Sequence, residues 1–273
     1  MSGKLLQQMP LWEERVRCLP SPMARSALFC VGSRAPRVQL KNALIASLSD
    51  TTIRYTGTEL RQDDEDVFLQ LCHLARGRSV DDMIEFSAYS MLKFLGWGFS
   101  AKSYTRLREC IERLKANALK VSVKLDEKKQ VEFSGSLIRK FIWSDDGKKR
   151  QQWRVWLERE VVVLFGQRGE LEWDIRNRLK GGISKWLHSF LVDRNETTPL
   201  LVSELRDLCG SKCESMSAYR QMLRDALKQL KENGNIFDWR MDANYVWISR
   251  SPDQIINRVK PSNFLAISEE NVT

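Results

Sequence analysis

The apolar residues of this chain change between helical and strand spacing, and the order of those changes predicts its elements. Residues 62–75 carry apolar positions at helical intervals behind a first turn of acidic residues, which suit the positive end of a helix dipole. A short helix is predicted at 88–95 and a long one at 100–118. The β-branched runs 121–125 and 131–134 flank the charged turn DEKKQ, which predicts a hairpin.

A similar order of elements returns in the second half of the chain. The pattern resets after Gly166, and three helical stretches then precede a last pair of strands. Residues 1–20 are predicted to be irregular because Pro10 and Pro20 interrupt them. The other predicted elements are strands at 51–56 and 83–86, a hairpin formed by 137–143 and 152–157, helices at 179–192, 201–209 and 217–233, and a hairpin formed by 237–241 and 245–249.

One supersecondary unit therefore occurs twice: a short helix, a glycine, a polar turn, a long helix and a hairpin. The long helices align as RECIERLK at 108–115 and RDALKQLK at 224–231, whereas the glycines before them align only with a shift of two residues. A short and a long helix joined by a turn are typical of a helix-turn-helix, whose second helix enters the major groove. With the hairpin as a wing, the pattern predicts an α+β fold with two tandem winged-helix domains.

The repeat and the reset divide the chain into four parts. Residues 1–20 are an N-terminal segment, and residues 21–165 form the first winged-helix domain. Residues 166–250 form the second winged-helix domain, and residues 251–273 are a C-terminal tail that carries little periodicity.

The charge of the chain favours an anionic partner. There are 44 Lys and Arg residues against 35 Asp and Glu residues, so the formal net charge is +9. Hydrophobic residues make up 42% of the chain, which is enough for packed cores. No apolar run reaches about 18 residues, and the first residues lack the apolar core of a signal peptide. We therefore expect a cytoplasmic protein without a membrane partner.

Each long helix is predicted to turn a polar, largely cationic face toward double-stranded DNA. Arg and Gln side chains suit guanine and adenine edges, whereas Lys, Ser and Thr suit phosphates. The inward positions are Leu107, Ile111, Leu114, Ala118, Leu223, Ala226, Leu227 and Leu230. The predicted DNA-binding residues, which include a cationic tip on the first wing, are Lys102, Thr105, Arg106, Arg113, Lys124, Lys128, Lys129, Ser217, Gln221, Arg224 and Lys228.

Metal and catalytic chemistry find little support in the sequence. The six cysteines form no C-x-x-C pair, so buried and reduced thiols are the simplest interpretation. A zinc site from His188, Cys209 and Cys213 would lack a fourth ligand at normal spacing. His73 and His188 stand 115 positions apart (188 − 73), and no G-x-x-x-x-G-K-[ST] loop occurs. We therefore predict neither a nickase nor an ATPase, and no cofactor or metal.

A series of short motifs along residues 10–250 resembles the TrfA family of plasmid replication initiators. Each motif is short, and their order and spacing together carry the resemblance. The motifs are LW at 11–12, RSALF at 25–29, IRYTG at 53–57, LAR at 74–76, IEF at 84–86, RLKA at 113–116, GSLI at 135–138, LFG at 164–166, WLH at 186–188 and LCGS at 208–211.

The resemblance implies two winged-helix domains that bind direct repeats, called iterons, at a plasmid origin. It further implies opening of an adjacent A·T-rich segment, cooperation with the host DnaA protein and the replicative helicase, and a homodimer that exchanges with a monomer. By resemblance, the second domain supplies most sequence reading through Arg220, Gln221, Arg224 and Lys228, while the first contacts DNA and helps to dimerise. By the same resemblance, we expect the charged N-terminal extension of the family to be shorter here, which puts the functions of that extension in doubt.

A peptide near the start resembles the Q-L-x-L-F motif by which replication proteins dock on the sliding clamp. Residues 8–12 read QMPLW, so Gln8, Leu11 and Trp12 are the candidate clamp-binding residues. The alternative is that Leu11 and Trp12 pack on the first domain.

A transcriptional repressor with the same domains, regulating its own gene, is the alternative function. A symmetric repressor dimer would favour palindromic half-sites, whereas an initiator would occupy repeated ones.

Overall fold

The computed structural model describes residues 8–32, 35–48, 50–126, 129–143, 152–192 and 198–250. Helices and mostly antiparallel sheets follow one another along the chain, which confirms the α+β class. Within the described residues, no helix combines the length and apolar character needed to cross a membrane.

The elements up to residue 157 are mostly strands around three helices of seven residues or more. They are β1 (Val16–Pro20), α1 (Ser21–Ala24), β2 (Phe29–Cys30), β3 (Gln39–Ile45), β4 (Thr51–Thr58), β5 (Leu60–Arg61), α2 (Gln62–Ala75), β6 (Ile84–Ser87), α3 (Ala88–Phe94), α4 (Ala101–Lys115), β7 (Ala118–Asp126), β8 (Lys129–Gly135), β9 (Ile138–Trp143) and β10 (Gln152–Leu157).

The later elements are mostly helical and end in a hairpin. They are α5 (Val161–Leu164), β11 (Arg168–Glu172), α6 (Trp173–Arg178), α7 (Gly182–Leu191), β12 (Leu200–Leu201), α8 (Val202–Leu208), α9 (Met216–Glu232), β13 (Asp238–Met241) and β14 (Tyr245–Ser249). We call α3, α4, β7 and β8 the first unit, and α8, α9, β13 and β14 the second unit.

The hairpins of the two units belong to sheets of different size. In the first unit, β7 and β8 are the inner and edge strands of a four-stranded sheet of order β3-β4-β7-β8. In the second unit, β14 lies between β13 and the two-residue strand β12. A separate sheet of order β6-β10-β9 contains the other predicted hairpin. The first unit is therefore part of a larger body, whereas the second is compact.

The helix ends of the two units are built in the same way. The side chains of Ser100 and Ser215 cap the long helices by accepting a hydrogen bond from a backbone N–H of the first turn. Each short helix ends before a glycine of positive φ, Gly96 at +65° and Gly210 at +62°. Because such a φ is strained for residues with a Cβ, glycine suits the turn that separates the two helices.

Two apolar cores follow each other along the chain, and their buried residues change from the first core to the second around residue 174. The first core runs from Met9 to Trp173, and the second from Ile175 to Ile248. β11 pairs with β1 and so belongs to the first core. Val16–Pro20, which was predicted to be irregular, is therefore a strand of the first body.

A buried ionic cluster joins the two bodies that are built around these two cores. The guanidinium of Arg176, in α6, is fully buried and pairs with Glu65 and Asp66 of α2 at 3.3 and 2.7 Å. Lys185 of α7 pairs with Asp66 at 2.5 Å, and Ser189 donates to Glu65. Burial raises the pKa of Glu65 although Arg176 opposes the shift. Every charge in the cluster has an opposite partner, as burial requires.

Close backbone contacts reinforce this junction. The indole N–H of Trp186 donates to the carbonyl of Ser26 at 2.9 Å, and the N–H of Val31 donates to the carbonyl of Cys209 at 3.0 Å. A Cβ at Gly210 would lie 2.7 Å from the Cβ of Cys30. These contacts tolerate little change and therefore hold the two bodies in a fixed relation.

Two predicted helix boundaries were wrong. The predicted helix 179–192 begins only at Gly182, as α7, because Gly181 before it adopts a φ of +98°, and the short helix α6 was not predicted. The predicted helix 100–118 ends at Lys115, and Ala118, which was assigned to its apolar stripe, is exposed at the start of β7.

Candidate nucleic-acid interface

The long helix of the second unit presents one continuous polar face. Its inward positions Leu223, Ala226, Leu227 and Leu230 are buried as predicted. The outward residues Ser217, Gln221, Arg224 and Lys228 are exposed, each three or four positions from the next. Gln221 donates to Asp225 at 3.1 Å, which orients its amide. The face can offer guanidinium, amide and ammonium donors to the base edges and phosphates of one groove.

Arg220 connects this helix to its hairpin. Its Nε donates to the carbonyl of Ala243, in the turn between β13 and β14, at 2.7 Å. The side chain is half-buried, so part of its donor capacity holds the wing against α9. Positioning the wing is thus a visible role of Arg220, beside the sequence-reading role that the resemblance implied.

The long helix of the first unit carries a face of mixed charge. Lys102, Thr105 and Arg106 are exposed as predicted, and the exposed Glu109 lies between them and the end of the helix. The guanidinium of Arg106 lies 4.0 Å from the centroid of the Trp97 ring. Its Nε also lies 3.3 Å from Asp63. These two contacts hold an exposed cation in one orientation.

Arg113 does not belong to this exposed face, which corrects its assignment to DNA binding. Its side chain is only 15% exposed, and its Nε donates to Asp64 at 2.9 Å. Asp64 is fully buried at the start of α2 and also pairs with Arg37 at 2.7 Å. Removing Arg113 would leave a buried carboxylate short of one partner, so this arginine ties α4 to α2.

The same acidic cluster is the only group of three metal-ligand side chains in the part of the chain that the structure describes. Asp63, Asp64 and Cys110 place ligand atoms within 4.8 Å of one another. Arg37 pairs with both carboxylates and holds the pKa of Asp63 below its usual value against the effect of burial. Burial raises the pKa of the Cys110 thiol far above its usual value, which disfavours the thiolate that metals prefer. The group is therefore an ion-paired structural cluster.

Of the three lysines predicted at the tip of the first wing, Lys124 is the one whose side chain the structure describes. Lys124 is exposed near the end of β7, where its backbone N–H donates to the carbonyl of Asp50. Lys128 and the side chain of Lys129 lie outside the described residues.

The candidate clamp-binding residues are fixed against the first body. Trp12 is buried, its ring stacks on Phe165 at 6.0 Å, and its indole N–H donates to Nδ1 of His73 at 3.1 Å. Gln8 donates to the carbonyl of Gly77 at 2.6 Å. Gln8 and Leu11 are exposed, Leu11 at 74%. The structure thus favours the alternative weighed for Trp12, and clamp docking stays a prediction that requires Trp12 to leave its site.

Sequence comparison places these features in a known family. The family model described as "TrfA protein" matches residues 2–250. The chain belongs to the TrfA family. The curated "Plasmid replication initiator protein TrfA" of Escherichia coli is 31% identical over 228 residues, which is 82% of this chain. The match spans 59% of the length of that relative.

Solved structures resemble this TrfA-family chain in fold. A crystal structure of domains 2 and 3 of RctB has a TM-score of 0.58 at 14% identity and covers 85% of this chain and 98% of its own. A second crystal structure of RctB domains 2–3 has a TM-score of 0.50 at 12% identity, with 80% and 93% covered. The arrangement of two bodies is thus shared with another protein.

One feature of this TrfA-family interface escaped the sequence prediction. Tyr89 and Phe99 are both exposed and stack on each other at the start of the two helices of the first unit. The outward positions were chosen for charge and hydrogen bonding, so exposed aromatic residues were not considered. Phe99 was the available signal, because an aromatic residue directly before the cap Ser100 lies in the turn and outside the apolar stripe of either helix.

Proposed function

We propose that this protein is a plasmid replication initiator that binds direct repeats at an origin through two winged-helix domains. The observation that carries the proposal is the pair of helix-turn-helix units with hairpins in a chain of the TrfA family. The exposed donors along α9 favour the second unit as the main reader of sequence. Binding free energy serves recognition and deformation of DNA, and no bond is made or broken.

The remaining steps of the proposal follow the family. Bound to repeats in the cytoplasm, the protein opens an adjacent A·T-rich segment and recruits the host DnaA protein and the replicative helicase. It is dimeric when idle and monomeric on the repeats, with the first domain helping to dimerise. The sliding clamp is a further candidate partner, through Gln8, Leu11 and Trp12.

Footprinting of the purified protein on DNA that flanks its own gene tests this proposal. Direct repeats protected at regular intervals support an initiator, whereas a single palindromic site supports the autoregulatory repressor instead. Affinity should fall steeply with salt, since several phosphates are neutralised on binding. Affinity that barely changes between low and moderate salt would contradict the proposal.

Two variants assign the reading helix. Arg224→Ala should weaken binding to the protected repeat by about ten-fold and relax preference at one base pair, because a bidentate contact to guanine is lost. Lys41→Ala removes the same charge from the exposed face of β3 and is the control, with an expected loss below about two-fold. Equal losses in the two variants would mean that net charge, and not α9, controls affinity.

A further inference from the structure

An exposed aromatic pair marks the first unit. Tyr89 is 55% exposed and Phe99 is 52% exposed, and their ring centroids lie 4.6 Å apart with an angle of 22° between the planes. Stacking holds the two rings as one apolar surface. Two large rings exposed side by side indicate a site of contact, because isolated apolar residues on a surface are common but paired ones are less so.

The position of the pair within the unit indicates what it meets. Tyr89 lies in the first turn of α3, and Phe99 directly precedes Ser100, the cap of α4. In a helix-turn-helix, the residues at the start of the second helix face the base edges in the major groove. The pair therefore lies at the end of the first unit that faces DNA.

The second unit differs at the corresponding places. Ser203 is the second residue of α8, as Tyr89 is of α3, and Glu214 directly precedes the cap Ser215 of α9. Both residues are exposed and polar. The two units thus share their framework but present different chemistry to DNA, polar in the second and apolar in the first.

An exposed lysine follows each ring of the pair along its helix. Lys93 follows Tyr89 by one helical turn, Lys102 follows Phe99 by three residues, and both are exposed. An apolar pair of rings with nearby lysines complements a DNA groove whose floor carries an apolar group and whose walls carry phosphates. On the base edges of the major groove, that apolar group is the C5-methyl of thymine.

We propose that Tyr89 and Phe99 recognise thymine methyl groups in the part of the binding site that the first unit covers. The inference rests on the proposed function, since it requires that the first unit sits on duplex DNA. It assigns to the first unit a specificity for A·T pairs, which the hydrogen-bond donors of its long helix alone would not provide. Removal of one methyl group should weaken binding about four-fold, the amount expected for one buried carbon.

Uracil in place of thymine tests the proposal, because it removes only the C5-methyl and keeps base pairing. Blocks of thymine in the footprint are replaced in turn, and affinity is measured for the whole protein. Wild-type protein should lose about four-fold per contacted methyl within one block. The variant Tyr89→Ser with Phe99→Ser should bind thymine DNA more weakly and respond to uracil by less than about two-fold.

Phe237→Ser is the matched control. Phe237 is 53% exposed, but it follows the C-terminal end of α9, away from the end that faces the groove. This variant should keep the full response to uracil. Thermal unfolding of all variants checks that the fold is retained, which is expected because the replaced rings are half in water.

The outcomes separate the inference from the function on which it rests. If wild-type protein binds no DNA that flanks its gene, the proposed function fails. If it binds repeats but is indifferent to uracil in every block, the thymine inference is wrong and the function stands. If the serine variant keeps wild-type affinity and response, the pair does not touch bases. If that variant loses affinity only for single-stranded DNA, or only for a protein partner, the inference is also overturned.

Discussion

His73 shows how one residue can carry a response to pH. It is buried in α2 and accepts a hydrogen bond from the indole of Trp12, while its other ring nitrogen lies 3.2 Å from Glu14. Burial lowers its pKa to about 4, and the charge of Arg17 acts in the same direction. An imidazole that accepts at Nδ1 must be neutral, so the hydrogen bond and the pKa agree.

Acid should therefore destabilise the protein through His73. The unfolded chain has the ordinary pKa of 6.5 and takes up a proton first as the pH falls. The histidine contributes stability that is complete above pH 6.5 and lost as the pH falls toward 4. The loss should be about 1–2 kcal/mol after allowance for partial access of solvent. Chemical denaturation at pH 7 and pH 4.5 measures it.

His73→Gln isolates this residue, because an amide oxygen can still accept from Trp12 without titrating in this range. The variant should lose less stability than the wild type between pH 7 and pH 4.5. Some loss should remain, since burial also lowers the pKa of His188 well below its usual value. An identical pH dependence in variant and wild type would rule out His73 as a source.

At the scale of elements, the short helices end alike but have different surroundings. Gly96 and Gly210 both follow the C-terminal residue of a short helix, with φ values of +65° and +62°. A Cβ at Gly96 would meet nothing within 4 Å, whereas one at Gly210 would meet the segment at Cys30. Both positions have a positive φ that is strained for residues with a Cβ, but only Gly210 lacks room for a Cβ.

Alanine at the two positions should therefore have unequal effects. Gly96→Ala should cost about 1 kcal/mol of unfolding free energy, the usual price of a positive φ. Gly210→Ala adds a steric conflict at the junction of the two bodies and should cost about 2–4 kcal/mol. Urea denaturation of both variants gives the comparison. Equal costs would show that the junction adjusts without strain.

Local pattern predicted the elements that are amphipathic by themselves. The bounds of α2, Gln62–Ala75, were predicted correctly because its acidic first turn and apolar stripe both lie within the helix. The strand β1 was missed because all five of its residues are buried, so no alternation is visible, and its partner β11 is distant in the sequence. β3 was missed for the opposite reason, as an exposed edge strand with a bulge near Asn42.

Site prediction failed where a charge finds a distant partner. Helical periodicity placed Arg113 on the outward side of α4, and only Asp64, 49 residues earlier, reveals that the side chain turns back to the core. The burial of Trp12 also depends on a distant residue, its acceptor His73 61 residues away, although packing of Trp12 on the first domain was an alternative stated from the sequence. The face of α9 was predicted well because its exposed donors are set by helical spacing alone.

At the scale of the whole molecule, the cluster around Arg176 determines how the two units are set relative to each other. It links α2 of the first body to α6 and α7 of the second, and Gln62 completes it by accepting from the guanidinium at 3.0 Å. If both units bind DNA as proposed, a rigid junction makes them bind as one body, and their contacts should keep one spacing along the DNA. Two units on a flexible linker would still bind when base pairs are added between their contact sites, whereas the two units of this chain should lose affinity.

Arg176→Ala should lower the free energy of unfolding by about 3–5 kcal/mol, because it leaves Glu65 and Asp66 buried with too little positive charge. Arg178→Ala is the matched control, since this arginine lies on the same helix, is exposed and donates to Asn233 at 3.0 Å. Its cost should stay below about 1 kcal/mol.

Denaturation followed by tryptophan fluorescence and by circular dichroism should stay a single transition in the control, whereas in Arg176→Ala the two bodies should unfold at separate midpoints. Coincident midpoints with a small loss of stability would mean that the apolar contacts around Gly210 and Trp186 hold the junction without the ionic cluster.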